Sequence, residues 1–241
     1  MVNGVRIPET FATAGREMVA FARQAMLLRH DTRAAVVPIG CREGDDVVVF
    51  LHGLFATAGV LRPIRSAIAK HPGVHTAALT YPPGPGLRPL ADRLAAVIGE
   101  LPQGVRVHLV GHSLGGIVAR YFAQEVGDPR VVQTISMASP FAGVPRARLL
   151  GFQSARDLDP SSPILRSLVL GHARSAHIPH LSIIAGSDEM VRAPVVHALP
   201  GGDVIVLHGR GHNTLLFDDE VARILERRVL SPARAPSPPA T

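Results

Sequence analysis

Ser113 stands in the string Gly111-His112-Ser113-Leu114-Gly115-Gly116, and Asp188 and His212 follow it in the chain, each just beyond a short apolar run. Hydroxyl, carboxylate and imidazole in the order Ser, Asp, His are the parts of a proton relay. The acid orients the imidazole, the imidazole takes the hydroxyl proton, and the oxygen attacks a carbonyl carbon. The chemistry this predicts is acyl transfer to water through a covalent intermediate. Each partner has a neighbour of the same type. Glu189 adjoins Asp188, but Asp188 lies nearer the end of its apolar run, where the backbone is better fixed. His208 precedes His212, and His212 is preferred because it lies out in the loop Gly209-Arg210-Gly211-His212-Asn213.

A serine used this way needs a particular seat. Val105 to Val110 reads as a buried strand and Ile117 to Val126 as a helix, so Ser113 falls in a tight strand-to-helix turn. Small residues at Gly111 and Gly115 avoid clashes in that turn and leave the hydroxyl accessible, with His112 as a further member of the elbow. Donors for the developing oxyanion are the last requirement. Val47 to Leu51 reads as another buried strand, ending in His52-Gly53-Leu54-Phe55. Gly53 lets the backbone come close, so the expected donors are the N–H groups of Leu54 and Leu114. His52 lies before the nucleophile in the chain and is read as loop support, not as the base.

The elements that position these residues alternate along the chain. Strands are expected at 46–51, 74–80, 105–110, 131–137, 180–185 and 203–208, with helical patterns between them. That alternation predicts an α/β architecture with a mostly parallel sheet covered by helices. Residues 9–29 place Phe11, Ala14, Met18, Phe21, Ala25 and Leu28 at helical spacing. They predict a helix packed on the flank of the sheet, with a cap or lipid-surface element as the alternative. A long connection, 141–179, joins the fourth and fifth of these strands, and its Leu149, Leu150, Phe152, Ile164, Leu165, Leu168, Val169 and Leu170 suit either an acyl pocket or packing onto the body. The expected organisation is one domain over 1–230 followed by a Pro-rich, disordered tail over 231–241.

Several stretches carry a family resemblance. His52-Gly53-Leu54, Gly111 to Gly116, Ala138-Ser-Pro-Phe-Ala-Gly143, Leu158-Asp-Pro-Ser-Ser-Pro-Ile-Leu165, Gly186-Ser-Asp-Glu-Met-Val191 and Gly211-His-Asn-Thr-Leu-Leu216 together resemble the α/β-hydrolase superfamily. Within it, the chain is similar to small bacterial lipases and esterases and to the GPI-inositol-deacylase-like group, although Phe141 stands where those lipases often carry histidine. The resemblance implies an α/β-hydrolase fold with a lid or cap inserted at 141–179. It also implies a serine hydrolase acting on carboxylic esters. A thioesterase or amidase with the same triad, or a non-catalytic lipid- or partner-binding protein of this fold, are the other readings it leaves.

Composition bounds the partners. The formal charge of +6 rests almost wholly on arginine, Lys70 being the single lysine, and only Arg227 and Arg228 are adjacent. Scattered arginines without interleaved aromatics do not make a nucleic-acid surface, so none is expected to bind. The expected partners are a small ester or lipid substrate and, transiently, a lipid surface. His172, His177 and His180 do not follow a metal-ligand spacing, so neither metal nor cofactor is expected. Cys41 is the single cysteine, and no internal disulfide can form. The first residues lack a charged-then-apolar leader pattern and no run approaches the ~20 residues that span a bilayer, so the expectation is a cytoplasmic protein.

Overall fold

After Asp46, residues 47–51, Val-Val-Val-Phe-Leu, are apolar on both alternating faces, the pattern of a strand covered on two sides. The computed structural model describes residues 9–189 and 194–231, and there this run is a central strand with every residue buried. The N-terminal residues before Glu9 and all of the expected Pro-rich tail beyond Ser231 lie outside the described residues.

The chain runs α1 (Glu9–Leu27), β1 (Ala35–Val36), β2 (Asp46–Leu51), a 3-10 turn (Ala58–Leu61), α2 (Arg62–Ile68), β3 (Val74–Leu79), α3 (Leu87–Gly99), β4 (Arg106–His112), α4 (Leu114–Tyr121) and β5 (Val131–Met137). It continues through α5 (Gln153–Asp157), α6 (Pro163–Leu170), β6 (His180–Ala185), β7 (Asp203–Leu207), a 3-10 turn (Thr214–Phe217) and α7 (Asp219–Leu230). The strands form a seven-stranded sheet in the order β1-β3-β2-β4-β5-β6-β7, parallel except for the β1–β3 pairing. The six expected strands are all present. The seventh, β1, has two residues and sits at the edge, too short to show a period in the sequence.

Alternation along β2 divides the core. Val47, Val49 and Leu51 join Val107 and Leu109 of β4 under α3 and α4. Val48 and Phe50 face the other way, against Ile64 and Ile68 of α2 and Val221, Ile224 and Leu225 of α7. The connection after β2 leads to β3 on one side and that after β4 leads to β5 on the other. Adjacent strands whose connections diverge open a crevice at their carboxyl ends, where ligands bind in sheets of this kind. His52, Gly53 and Leu54 leave β2 there, and Ser113 leaves β4 beside them.

Two helices differ from expectation. The helix after Ser113 begins at Leu114, not Ile117, and ends in a π turn over Phe122–Val126. The Gly115-Gly116 pair disfavours helix locally, yet it lies inside α4 because no larger residue fits there. In α1 the packed face is Thr13, Glu17, Ala20, Gln24 and Leu27, one position displaced from the predicted apolar stripe. Met18 (73% exposed) points to solvent. The helix docks on the turns 58–61 and 214–217 at the carboxyl end of the sheet and not on its flank. The backbone carbonyls of Leu28 and His30 accept from the Thr57 hydroxyl at 3.2 and 3.0 Å, and Gly59 lets that backbone in. Among the described residues no helix is long and apolar enough to cross a membrane.

Candidate active site

Ser113 has φ 55° and ψ −122°, a backbone conformation that side-chain-bearing residues adopt only when their surroundings force it. The surroundings are glycines in close contact. A Cβ on Gly111 would overlap the backbone of Gly115 and Gly116, and one on Gly115 would overlap the carbonyls of Leu51 and His52. Gly116, which has no separate role in the turn motif, leaves room for the Ser139 and Ser136 side chains. The Ser113 N–H donates to Met137 O at 2.8 Å, so the turn is stitched to the end of β5. The N–H of Leu114, first residue of α4, has no backbone acceptor among the described residues.

Asp188 lies just past β6 and His212 in the loop after β7, and the two meet. His212 donates Nδ1–H to Asp188 Oδ2 at 2.7 Å, with side chains 5% and 2% exposed. That bond directs the other ring nitrogen, Nε2, away from the carboxylate. His212 and Ser113 line the same cavity, and among the described residues no hydrogen bond joins the hydroxyl to the ring. Such contacts are commonly long before substrate binds. The neighbours of like type stand apart from this arrangement: Glu189 and His208 are both exposed, and neither lines the cavity.

Two further histidines hold the site together. His112 donates Nε2–H to the His212 carbonyl oxygen at 3.0 Å, and the two rings meet edge-on with centroids 4.8 Å apart. Burial, reinforced by the neighbouring His212 and His52 rings, pushes the His112 imidazole down to about 3, so it is neutral. His52 is held as a single tautomer. Its Nδ1–H donates to Gly53 O at 2.7 Å, and its Nε2 accepts the Tyr81 N–H at 3.1 Å. The ring stacks on Tyr81 at 4.0 Å, the Tyr81 hydroxyl donates to the His52 carbonyl, and burial lowers the imidazole to about 4. Because a peptide is planar and trans, fixing the Gly53 carbonyl on one side turns the Leu54 N–H to the other. That N–H has no backbone acceptor among the described residues either.

The cavity encloses about 470 Å3. Its walls are apolar, with Phe21, Ala25 and Leu28 from α1 and Val144, Leu150 and Leu158 from the segment after β5. Among the described residues that line it, none is a carboxylate, an arginine or a lysine. The leucines of the 141–179 connection divide their roles. Leu150 borders the cavity, whereas Leu165 and Leu168 are buried in the core, and Leu149 and Leu170 are exposed.

Residues 48–169 match the model of the alpha/beta hydrolase family. Comparison with curated protein sequences returned no match. Among solved structures, the lipase BlEst2 of Bacillus licheniformis in its mature form superposes with a TM-score of 0.67 at 15% identity, over 81% of this chain and 96% of that one. Lipase B of Aspergillus fumigatus gives 0.67 at 16% identity, over 84% of this chain and 57% of the lipase. Est1E of Butyrivibrio proteoclasticus gives 0.59 at 16% identity, over 81% and 91%. These likenesses establish the fold: seven strands with one antiparallel edge, helices on both faces and a serine turn at the carboxyl end of a central strand. The chain belongs to the alpha/beta hydrolase family.

Proposed function

We propose that the protein is a serine hydrolase that cleaves carboxylic esters, with Ser113 as nucleophile, His212 as general base and Asp188 as its orienting acid. The observation that carries this reading is the 2.7 Å His212–Asp188 hydrogen bond, which leaves the second imidazole nitrogen for the cavity that Ser113 also lines. His212 Nε2 takes the Ser113 proton as the oxygen attacks the ester carbonyl. The tetrahedral oxyanion is held by the Leu54 and Leu114 N–H groups. The C–O bond to the alcohol breaks, the imidazolium gives its proton to the departing oxygen, and an acyl-enzyme remains. Water, losing its proton to the same imidazole, attacks the acyl carbon and frees the acid and Ser113. His52 and Gly53 set the first donor, Gly111, His112 and Gly115 support the turn, and residues 141–179 serve as the cap of a single domain.

The described walls of the cavity carry no charged side chain and favour an apolar acyl group, since a charge brought inside would be desolvated without a partner from them. Mass spectrometry after treatment with a fluorophosphonate is the direct test. The expected result is one adduct on Ser113, absent in Ser113→Ala, with hydrolysis of p-nitrophenyl esters lowered at least ~10³-fold in that variant. A wild-type protein that takes up no probe and cleaves no ester, thioester or amide overturns the reading. Thioester or amide turnover faster than that of the matched ester reassigns the bond cleaved while keeping the triad.

A further inference from the structure

The loop that carries His212 is tied to the far end of the sequence. Glu17, on α1, accepts four hydrogen bonds from the two residues that follow His212. Its Oε1 takes the Asn213 N–H at 2.7 Å and the Asn213 Nδ2–H at 2.8 Å. Its Oε2 takes the Thr214 N–H at 3.0 Å and the Thr214 hydroxyl at 2.8 Å. A carboxylate has about four acceptor positions, and here all are directed at one short stretch of chain. No arginine or lysine pairs with it among the described residues. On the other side of His212, a Cβ on Gly211 would come within 2.5 Å of Glu17 Oε2, so this glycine admits the carboxylate.

The geometry points to Glu17 as a positioning residue for His212, an inference that rests on the hydrolase reading above. The peptide between His212 and Asn213 is one rigid plane. Its carbonyl edge accepts from His112 and its N–H edge donates to Glu17. With both edges held, the Cα of His212 is fixed in that plane, and the Asp188 hydrogen bond sets the direction of the ring from there. Hydrogen bonds to a charged acceptor are about twice as strong as neutral ones, which suits a residue that must hold a buried loop in one position. The same helix supplies Phe21, Ala25 and Leu28 to the cavity wall, so α1 sets the substrate space and the base together.

The test compares full-chain wild type, Glu17→Gln and Glu17→Ala. Folding is read by circular dichroism and thermal melting. Function is read as kcat and KM on a short p-nitrophenyl ester and as the rate of fluorophosphonate labelling, and loop order as amide hydrogen exchange over 211–216. A displacement of about 1 Å in a catalytic group costs on the order of 10²-fold. Glu17→Ala is therefore expected to lower kcat and the labelling rate about 10- to 100-fold with KM changed less than about threefold. Faster exchange confined to 211–216 accompanies the loss, and Glu17→Gln, which keeps one acceptor oxygen, falls between. If Glu17→Ala does not fold, Glu17→Gln carries the same comparison. A folded variant with wild-type kcat and labelling rate, or one that merely melts earlier, overturns the proposal and leaves the hydrolase reading standing. A wild-type protein that neither labels nor turns over overturns both.

Discussion

His112 and His212 are joined through the backbone: the Nε2–H of the residue just before Ser113 donates to the carbonyl oxygen of His212 at 3.0 Å. The turn carrying Ser113, the proposed nucleophile, and the loop carrying His212, the proposed base, are thereby one mechanical unit, although 100 residues separate them. The bond requires a proton on Nε2, and burial keeps the ring neutral, with that one proton.

Replacing His112 by phenylalanine keeps a flat ring and removes the donor. The His212 carbonyl is then buried without its partner, at a cost of about 1–3 kcal/mol. The expected outcome is a lower midpoint in chemical denaturation and a drop in kcat of about tenfold or more, with KM little changed. A variant matching wild type in both measurements would show that this bond holds nothing in place.

The strained turn gives a second outcome. At φ 55°, ψ −122°, a residue with a Cβ carries of order 1–3 kcal/mol of strain, which glycine lacks. Ser113→Ala and Ser113→Gly both remove the nucleophile, but only the second relieves the backbone. Glycine's larger unfolded-state entropy takes back about 0.5–1 kcal/mol. The inactive Gly variant is expected to melt about 2–4 °C above the inactive Ala variant, as differential scanning calorimetry can measure. Equal or reversed melting temperatures would mean the turn is not strained.

Acid should loosen the fold through its buried histidines. His52 is depressed to about 4 and His112 to about 3, both by burial first. His180 is pushed well below its ordinary value by burial, with the Arg120 and Arg228 cations adding to it. In the unfolded chain each titrates near 6.5. Between these limits the unfolded state binds protons that the folded state refuses, so stability is complete above about pH 6.5 and declines as pH falls toward 4. Each such proton contributes a slope of about 1.4 kcal/mol per pH unit. Denaturant midpoints taken from pH 7 to pH 4.5 should fall steadily, with a smaller slope in a variant carrying phenylalanine in place of His112. A flat profile would contradict the neutral, buried assignment.

Much of this site could be read from the chain because its parts lie at strand ends, and strands buried on both faces announce themselves as apolar runs. Val47 to Leu51, Val107 to Val110 and His180 to Ala185 are such runs, and Leu54, Ser113 and Asp188 follow them at short distances. The part that escaped reading depends on contacts between distant residues. Glu17 sits 196 positions from Asn213, in a helix whose apolar stripe pointed to a neighbouring face. The stripe misled because α1 is held by a carboxylate and by small residues, Thr13 and Ala20, while its Phe21 is left beside the cavity. The early start of α4 was hidden for a related reason: glycines read as a turn when their neighbours in space are unknown.

The pairing of Leu51 with Gly111 in adjacent parallel strands has a consequence for how the molecule would fail. The proposed nucleophile and oxyanion donors grow from the middle of the sheet, where spacing is dictated by backbone ladders on both sides. The imidazole grows from β7, a partly exposed border strand paired, among the described residues, with β6 alone. Heat or denaturant would fray that border first, so catalytic competence is set to vanish while the central ladder is still intact.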